Sequence, residues 1–558
     1  MEKSIKEKYL SSAALLLIAS VLVKIIGAIY KIPLTGYIGA TGRGYFSIAY
    51  SLFMPVHAIT MGAFPVALSS LVSKYLSKGN DARVMQLKKS ANRLFFIVGI
   101  IGLLLITLLA KPYADLIADA PKAVFTILVL APSALFSSMA ASRRSFAEGH
   151  LNMVPTAVCQ VLEAAFKMIF GLLFARISMS YLYEAYLDTG AVLGVQAQNE
   201  GEALSMIYPL TSAAAMLGVT LGNFAALVYA CAYNRAKYSR GKVLQKQKET
   251  GVGKELISFS LPLVAATIIQ SISAFLDTAS IQYCLSMCPN EALSKAYEAS
   301  ISLAGVAAED VETYVYGLYS SALDFKNLIP GITMSLGVAA VPALSAAYES
   351  SSGRFSDLYS GIIKYTVILS AGGGGALALF SYDILKLFYA SSNPDIVLGC
   401  HSLLFWMGVS VMPASLASTC VFAVQALGYS KRLIFPFVIS ALVRLGLNCY
   451  LVSDVRLNLY GSVISAFVSY LIIAVWAMAI ISSVTKVKIK PVQVFFKPII
   501  ACAVTAFSCY AVSSSLFGAL EWSLNFILSA ALFLSLLTIL LLFFGTLSTK
   551  DLKFIGIR

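Results

Sequence analysis

The feature that most constrains this chain is a succession of fourteen apolar runs, each long enough to cross a bilayer, between residues 10 and 545. A hydrocarbon core about 30 Å thick needs roughly 20 apolar residues of helix. Inside it every backbone N–H and C=O must be satisfied by the protein itself, so repeated runs of this kind fold as a helical bundle. Of the 558 residues, 59% are hydrophobic and 12% charged, a balance unlike that of soluble domains. The expected fold class is an all-α polytopic membrane protein with 14 transmembrane helices.

The net charge of +14 alone would suit a nucleic-acid partner. Its placement argues otherwise. Lys and Arg crowd into alternate gaps between the runs, most densely at residues 74–93, 235–254 and 486–497, and the intervening gaps are acidic. Basic loops stay on the cytoplasmic side during insertion. Both termini are therefore expected in the cytoplasm of a multi-pass plasma-membrane protein, with anionic lipid headgroups rather than nucleic acid against the basic gaps. Met1–Tyr9 is basic, but the run after it has span length, carries Lys24 and has no small-x-small cleavage site, so it reads as the first helix. The nine Cys are scattered; Cys284 and Cys288 share an outer loop, and free thiols are expected. The three His, at 57, 150 and 401, have no metal-ligand spacing, and no Gly-rich phosphate loop occurs. Neither a metal nor another cofactor is expected, although coupling to Na⁺ or H⁺ would suit the carboxylates inside the spans.

A basic linker at 234–254 divides two six-helix halves, 1–233 and 255–481, and residues 482–558 add two further helices and a cytoplasmic tail. Gly62-Ala63-Phe64-Pro65-Val66-Ala67-Leu68-Ser69-Ser70 in the second run has a counterpart in Ala339-Ala340-Val341-Pro342-Ala343-Leu344-Ser345-Ala346-Ala347 in the eighth. Chance similarity of small-residue helix segments competes with duplication here; agreement in position and length favours duplication. Halves of six helices are parallel repeats, and transporters built this way hold substrate between them.

Charges inside the runs are expensive and mark function by default. Lys24 shares a helical face with Ser20, Gly27 and Lys31 and sits about 12 Å from the outer end at 1.5 Å per residue, which is far for snorkelling. Glu163 precedes Lys167 by four residues, the favourable order for an internal pair. Gln270, Ser273, Asp277 and Ser280 form a second polar stripe, and Asp277 suits proton or Na⁺ coupling or a structural hydrogen bond. Asp324 and Lys326 lie about 200° apart on one helix and cannot face the same way without a break, which Pro330 would supply. Arg444, with Ser440 and Asn448, offers a planar donor fork for phosphate, or a buried pair with Asp277 or Asp324. The tetraglycine Gly372–Gly375 permits close helix packing or a hinge.

Lys24-Ile25-Ile26-Gly27-Ala28-Ile29-Tyr30-Lys31-Ile32-Pro33-Leu34, then Gly39-Ala40-Thr41-Gly42-Arg43-Gly44, then Gly62-Ala63-Phe64-Pro65-Val66-Ala67, resembles the start of the stage V sporulation protein B family. That family lies with the murein-precursor (lipid II) flippases in the multidrug/oligosaccharidyl-lipid/polysaccharide exporter superfamily. The resemblance implies a flippase, not an enzyme. Its substrate would be an undecaprenyl-pyrophosphate-linked saccharide, plausibly lipid II, moved outward by alternating access for cell-wall or polysaccharide synthesis, with the last two helices forming a groove for the lipid tail. It places a substrate-binding cation at Lys24, with His57 and, approximately, Lys326 at the family's other cationic positions; Lys31, Arg43 and Arg444 are further candidates from the residues themselves. Asp277, Asp324, Glu163 and Lys167 are left as ion-coupling or structural, and the working unit is expected to be a monomer. Span two departs from the family in offering only His57 where a cation is usual. The rival reading within the superfamily is a cation-coupled multidrug or metabolite exporter. A membrane glycosyltransferase would need more acidic residues than Glu309, Asp310 and Glu312 at the membrane boundary.

Overall fold

The computed structural model describes residues 2–238, 251–349, 354–487, 490–515 and 520–547. Most of the linker (239–250) and the end of the tail (548–558) lie outside the described residues. The rest is helix apart from short connections and a two-residue antiparallel pair, Ala191–Val192 with Val195–Gln196. Among the described residues, eleven helices are long and apolar enough to cross a membrane. Burial follows the pattern expected in lipid, where helices pack through small residues and large apolar side chains turn outward. Ala, Ser and Thr fill much of the interior, whereas Leu108, Phe507 and Phe543 are 71%, 76% and 81% exposed.

By contact the chain separates into two compact units, residues 1–317 and 318–558. The first holds α1 (Glu2–Ser77), α2 (Asp81–Leu116), α3 (Ala123–Leu130), α4 (Pro132–Gly149), α5 (Val154–Thr189), α6 (Glu200–Tyr238), α7 (Val252–Ser286), two short helices α8 (Asn290–Ala296) and α9 (Glu298–Ala304), and the start of α10 (Val311–Lys326). Helix α1 is two helices joined at Gly39, whose φ of 62° and ψ of −175° break the helical path. A side chain there would be strained by the positive φ and would also crowd the Tyr208 hydroxyl at 3.0 Å.

Small residues set how closely this unit packs. A Cβ on Gly218 would lie 2.3 Å from the Gly171 nitrogen, and one on Gly222 would lie 2.7 Å from the Glu163 carbonyl, so α5 and α6 run with backbones in contact. The Gly39–Gly44 segment packs the same way. A Cβ on Gly44 would lie 2.1 Å from the Thr313 carbonyl, one on Gly317 would lie 1.8 Å from the Ala40 carbonyl, and Ser212 Oγ donates to the Gly42 carbonyl at 2.8 Å. The glycine motif that carries the family resemblance is thus a packing seam between α1, α6 and the first turns of α10.

The second unit holds the rest of α10, then α11 (Leu328–Glu349), α12 (Arg354–Leu379), α13 (Ser381–Tyr389), α14 (Pro394–Ala426), α15 (Ile434–Leu451), α16 (Leu459–Thr485), α17 (Lys497–Ser515) and α18 (Trp522–Phe543). Its organising feature is the tetraglycine of α12. Successive residues point about 100° apart. Each glycine meets a different neighbour: Gly372 faces Leu537 of α18, Gly373 faces Ile329 of α11, Gly374 faces the Gly408 carbonyl of α14 and Gly375 faces Cys502 of α17. The four glycines therefore serve close packing on four sides, and no hinge is needed to explain them. Helices α17 and α18 are fastened to α12 and α13 by Phe380 against Phe526 and Phe533, by Trp522 Nε1 donating to Asp383 Oδ1 at 2.7 Å, and by Lys386 Nζ 4.6 Å from the Trp522 ring centre.

The two similar segments, 62–70 and 339–347, each bury a leucine. Leu68 lies in a cluster with Leu71, Val72, Phe95 and Phe146, and Leu344 lies in one with Tyr359, Ile363 and Val424. The side chains of Ala63, Ala339, Pro342 and Ala346 in these segments, and that of Gln270, lie outside the described residues, as does the burial of Gly62. All nine Cys are free thiols; Cys284 lies within α7 rather than in the outer loop, and Cys288 Sγ, two residues past that helix, donates to the Cys284 carbonyl at 3.4 Å.

Candidate functional site

In the first unit, spacing along α1 builds an aromatic ladder. Phe46, Tyr50, Phe53 and His57 recur at steps of four, three and four, so they share a face. Their ring centres follow at 5.1, 6.2 and 5.1 Å, with His57 stacked on Phe53 at 28°. Lys167 of α5 enters this ladder: its Nζ donates to the Tyr50 hydroxyl at 2.9 Å and lies 5.1, 5.8 and 4.9 Å from the ring centres of Tyr30, Phe46 and Tyr50. The Arg43 guanidinium, 4% exposed, covers Phe46 at 5.4 Å. Aromatic faces carry negative potential, which accommodates cations away from water. Lys31 is half-buried on the neighbouring arm of α1 and close enough to act on Tyr50 electrostatically.

Lys24 lies further along that arm and is exposed. The exposed large apolar residues of this arm are Leu15, Ile18, Val21, Leu22, Ile25 and Ile29. At about 100° per residue, Lys24 sits roughly 130° around the helix from the centre of that set. It lies on the flank of Ser20, Gly27 and Lys31.

Glu163 finds a partner that sequence spacing does not show. Arg144 of α4, 4% exposed at its side chain, donates to Glu163 Oε1 at 3.0 Å. Asp277 is half-buried on α7, and Ser280 Oγ donates to its carbonyl at 2.8 Å. One turn on, Gln282 accepts from the Tyr113 hydroxyl at 2.6 Å and reaches Ser51 Oγ at 3.4 Å, and Ser51 lies 3.4 Å from the Tyr316 hydroxyl. This polar knot joins α1, α2, α7 and α10. Its members stand singly in the sequence, and no local pattern marks them.

At the end of the unit that carries the α2–α3 and α5–α6 connections, Lys122 Nζ donates to Glu309 at 2.7 Å and to Ser205 Oγ at 2.5 Å. Tyr45 donates to Asp310 at 2.6 Å. These contacts hold residues 309–310 against α1 and α6.

In the second unit, no break separates Asp324 from Lys326: both lie in the last turn of α10, about 200° apart, and the helix is interrupted only after Lys326. Helix α10 ends at Lys326, Asn327 is a turn and α11 starts at Leu328, so Pro330 falls in a first helical turn where its missing N–H costs little. Lys326 is 5% exposed and Asp324 half-buried. Lys326 Nζ lies 5.8 Å from the Tyr470 ring centre, and the Arg444 guanidinium lies 5.4 Å from the same centre. Two of the sequence candidates thus converge on one aromatic residue of α16 that carries no charge to draw attention. The other members of the Arg444 stripe fix α15: Ser440 donates to the Phe437 carbonyl at 3.0 Å, and Asn448, fully buried, accepts from Ser465 of α16.

Chemically, each unit presents paired cations seated on aromatic rings, an arrangement that suits a multiply charged oxyanion. Among the described residues, no group of three or more His, Cys, Asp or Glu is placed to hold a metal ion.

A family of polysaccharide biosynthesis proteins matches residues 9–194. Stage V sporulation protein B of Bacillus subtilis (strain 168) is 23% identical over 507 residues, covering 89% of this chain and 88% of that protein. Lipid II flippase MurJ of the same organism is 24% identical over 489 residues, covering 83% and 80%. Among solved structures, Lipid II flippase MurJ in an inward closed conformation superposes with a TM-score of 0.65 at 14% identity, covering 95% of this chain and 99% of that one. An inward-facing multidrug resistance transporter of the MATE family, within the MOP superfamily, gives 0.59 at 15% identity, covering 82% and 99%. The resemblance carried by the first seventy residues therefore extends over most of the chain, and the fold is the multi-pass helical fold of these flippases and exporters.

Proposed function

We propose that this chain is a flippase that carries an undecaprenyl-pyrophosphate-linked saccharide, lipid II being the leading case, from the inner to the outer leaflet. The observation that supports this most is the convergence of Lys326 and Arg444 on Tyr470. A pyrophosphate carries several negative charges over a few ångströms, and two cations held at one ring match it better than they match a cationic drug. The name of one Bacillus relative, Lipid II flippase MurJ, points the same way.

In this reading fourteen helices span the membrane. Helix α1 contributes two of them, one on each side of Gly39, and α7 and the α10–α11 pair complete the count beyond the helices that qualify by length and hydropathy. Both termini face the cytoplasm, so the end with Lys122 and Glu309 faces outward. Lys24, Lys31 and Arg43 receive the headgroup in the first half, while Lys326 and Arg444 receive it in the second. His57, Glu163 and Lys167 shape the aromatic wall, and Asp277 and Asp324 balance charge or bind a coupling cation. The chain works as a monomer and catalyses no covalent step. With a negative cytoplasm, outward transfer of an anion gains about 2.3 kcal/mol per charge per 100 mV, which bears directly on the energy source.

The test is a strain that depends on this protein for export of lipid-linked precursor, assayed by the precursor's accessibility to an external reagent. Lys326→Ala and Arg444→Ala are expected to abolish or sharply reduce export with normal membrane levels of protein. Normal export in both variants removes the pyrophosphate site. The multidrug exporter predicts the opposite pattern, with drug efflux by the wild type and no change in precursor export.

A further inference from the structure

We propose that Asp310 is a proton-binding site of the outer face, and that the proton it binds holds shut the seam between α1 and α10. The proposal deepens the alternating-access reading above and rests on it for the meaning of "outer". The seam itself is described by Gly44 against Thr313 and Gly317 against Ala40, where α1 and α10 touch through backbone. Asp310 sits at the mouth of that seam and is 3% exposed. One carboxyl oxygen accepts from Tyr45 at 2.6 Å. The other, Oδ2, is buried with no hydrogen bond and lies 4.0 Å from Lys122 Nζ.

That ammonium is engaged elsewhere, since Glu309 holds it at 2.7 Å and Ser205 at 2.5 Å. The groups facing Asp310 are thus Tyr45 from α1, Lys122 from the α2–α3 connection, Ser205 from α6 and its neighbour Glu309. Glu312, two residues on and also buried, sees Asp119. An ionised carboxylate enclosed this way has lost its water and uses half its acceptor capacity, and a proton on Oδ2 removes that cost. Burial pushes the Asp310 carboxyl above the ordinary carboxylate range; Tyr45, Lys122 and Ser205 pull it partly back, and Glu309 pushes it up. Glu309 itself is held below its usual range by its bonds to Lys122 and Ser205, so it stays charged and keeps Lys122 occupied.

The linkage has one sign. A carboxyl that binds its proton more tightly in the closed seam than in water favours closure fully at pH below its solvated value. That preference is lost as the pH rises through the closed-state value. Opening wets Asp310 and releases the proton to the outer side. Closing takes one proton back from external water, so a full cycle of the seam balances and needs no other reactant.

The experiment uses purified full-length protein in liposomes, with spin labels on Thr189→Cys and Ser302→Cys in a background lacking the nine native Cys. Both positions are exposed on outer connections. Pulsed dipolar distances are measured from about pH 5 to about pH 8, spanning the range where a perturbed carboxyl titrates. A long-distance population that grows several-fold with rising pH is expected in the parent. Asp310→Asn, which imitates the protonated carboxyl, should stay at the short distance throughout. Tyr45→Phe and Lys122→Met each remove a group that favours the ionised form and should move the midpoint to higher pH. A pH-independent distance in the parent, or an unaltered pH response in Asp310→Asn, overturns the proposal. No substrate is present, so such a failure leaves the lipid-linked substrate to be decided by the export assay alone.

Discussion

Replacing Gly374 by Ala tests the packing logic of the second unit. The added methyl would lie 2.5 Å from the Gly408 carbonyl oxygen, and the contact is reciprocal, because a Cβ on Gly408 would lie 2.6 Å from the Gly374 carbonyl. A carbon and a carbonyl oxygen rest at about 3.3 Å, so α12 and α14 must part by several tenths of an ångström along their whole contact. Neither obstacle is a flexible side chain that could rotate away. Over-packing of this kind costs about 1–3 kcal/mol. The control is Gly361→Ala on the same helix, where nothing lies within 4 Å of the new methyl. There the higher helix propensity of Ala gives a gain of up to about 1 kcal/mol, smaller where lipid and neighbours already order the helix. The assay is the thermal denaturation rate of the purified protein in detergent, which reports kinetic stability where unfolding is irreversible. The expected order is Gly361→Ala at or above wild type and Gly374→Ala clearly below it. Equal rates for the two variants would refute the idea that backbone contact, rather than glycine flexibility, explains the tetraglycine.

Arg144→Ala leaves the half-buried Glu163 without this partner and is expected to cost about 3–5 kcal/mol, with much of the loss recovered in Arg144→Met combined with Glu163→Leu; denaturation rates of the single and double variants check this. Trp522→Phe removes the hydrogen bond to Asp383 and the larger ring beneath Lys386. A loss of about 1–2 kcal/mol is expected, confined to faster amide exchange in α17 and α18. Tyr470→Ala should lower precursor export more than Tyr470→Phe does, because the ring face rather than the hydroxyl meets Lys326 and Arg444; equal export in the two would count against that role.

The helices were legible because bilayer thickness writes their length directly into the sequence. The polar stripes were legible for the same local reason: 3.6-residue periodicity puts Ser440, Arg444 and Asn448 on one face, whereas the break expected to reconcile Asp324 with Lys326 falls beyond both, at Asn327. What escaped the sequence is contact between distant segments. Arg144 lies on another helix from Glu163, and Tyr470 is an ordinary aromatic in an apolar run until the fold brings Lys326 and Arg444 to it. Asp310 stood out only as one of three acids near a boundary, and its partners Tyr45 and Lys122 are 265 and 188 positions away in the chain. The glycines were visible, but what each one touches was not.

The bend in α1 has a mechanical consequence. Beyond Gly39, residues 40–44 are clamped by α6 and α10, while the other arm carries Lys24 and Lys31. Fifteen residues separate Gly39 from Lys24. At 1.5 Å per residue that arm is a lever about 22 Å long. A swing of about 10° at one glycine would sweep the Lys24 ammonium through roughly 4 Å while leaving the clamped end still.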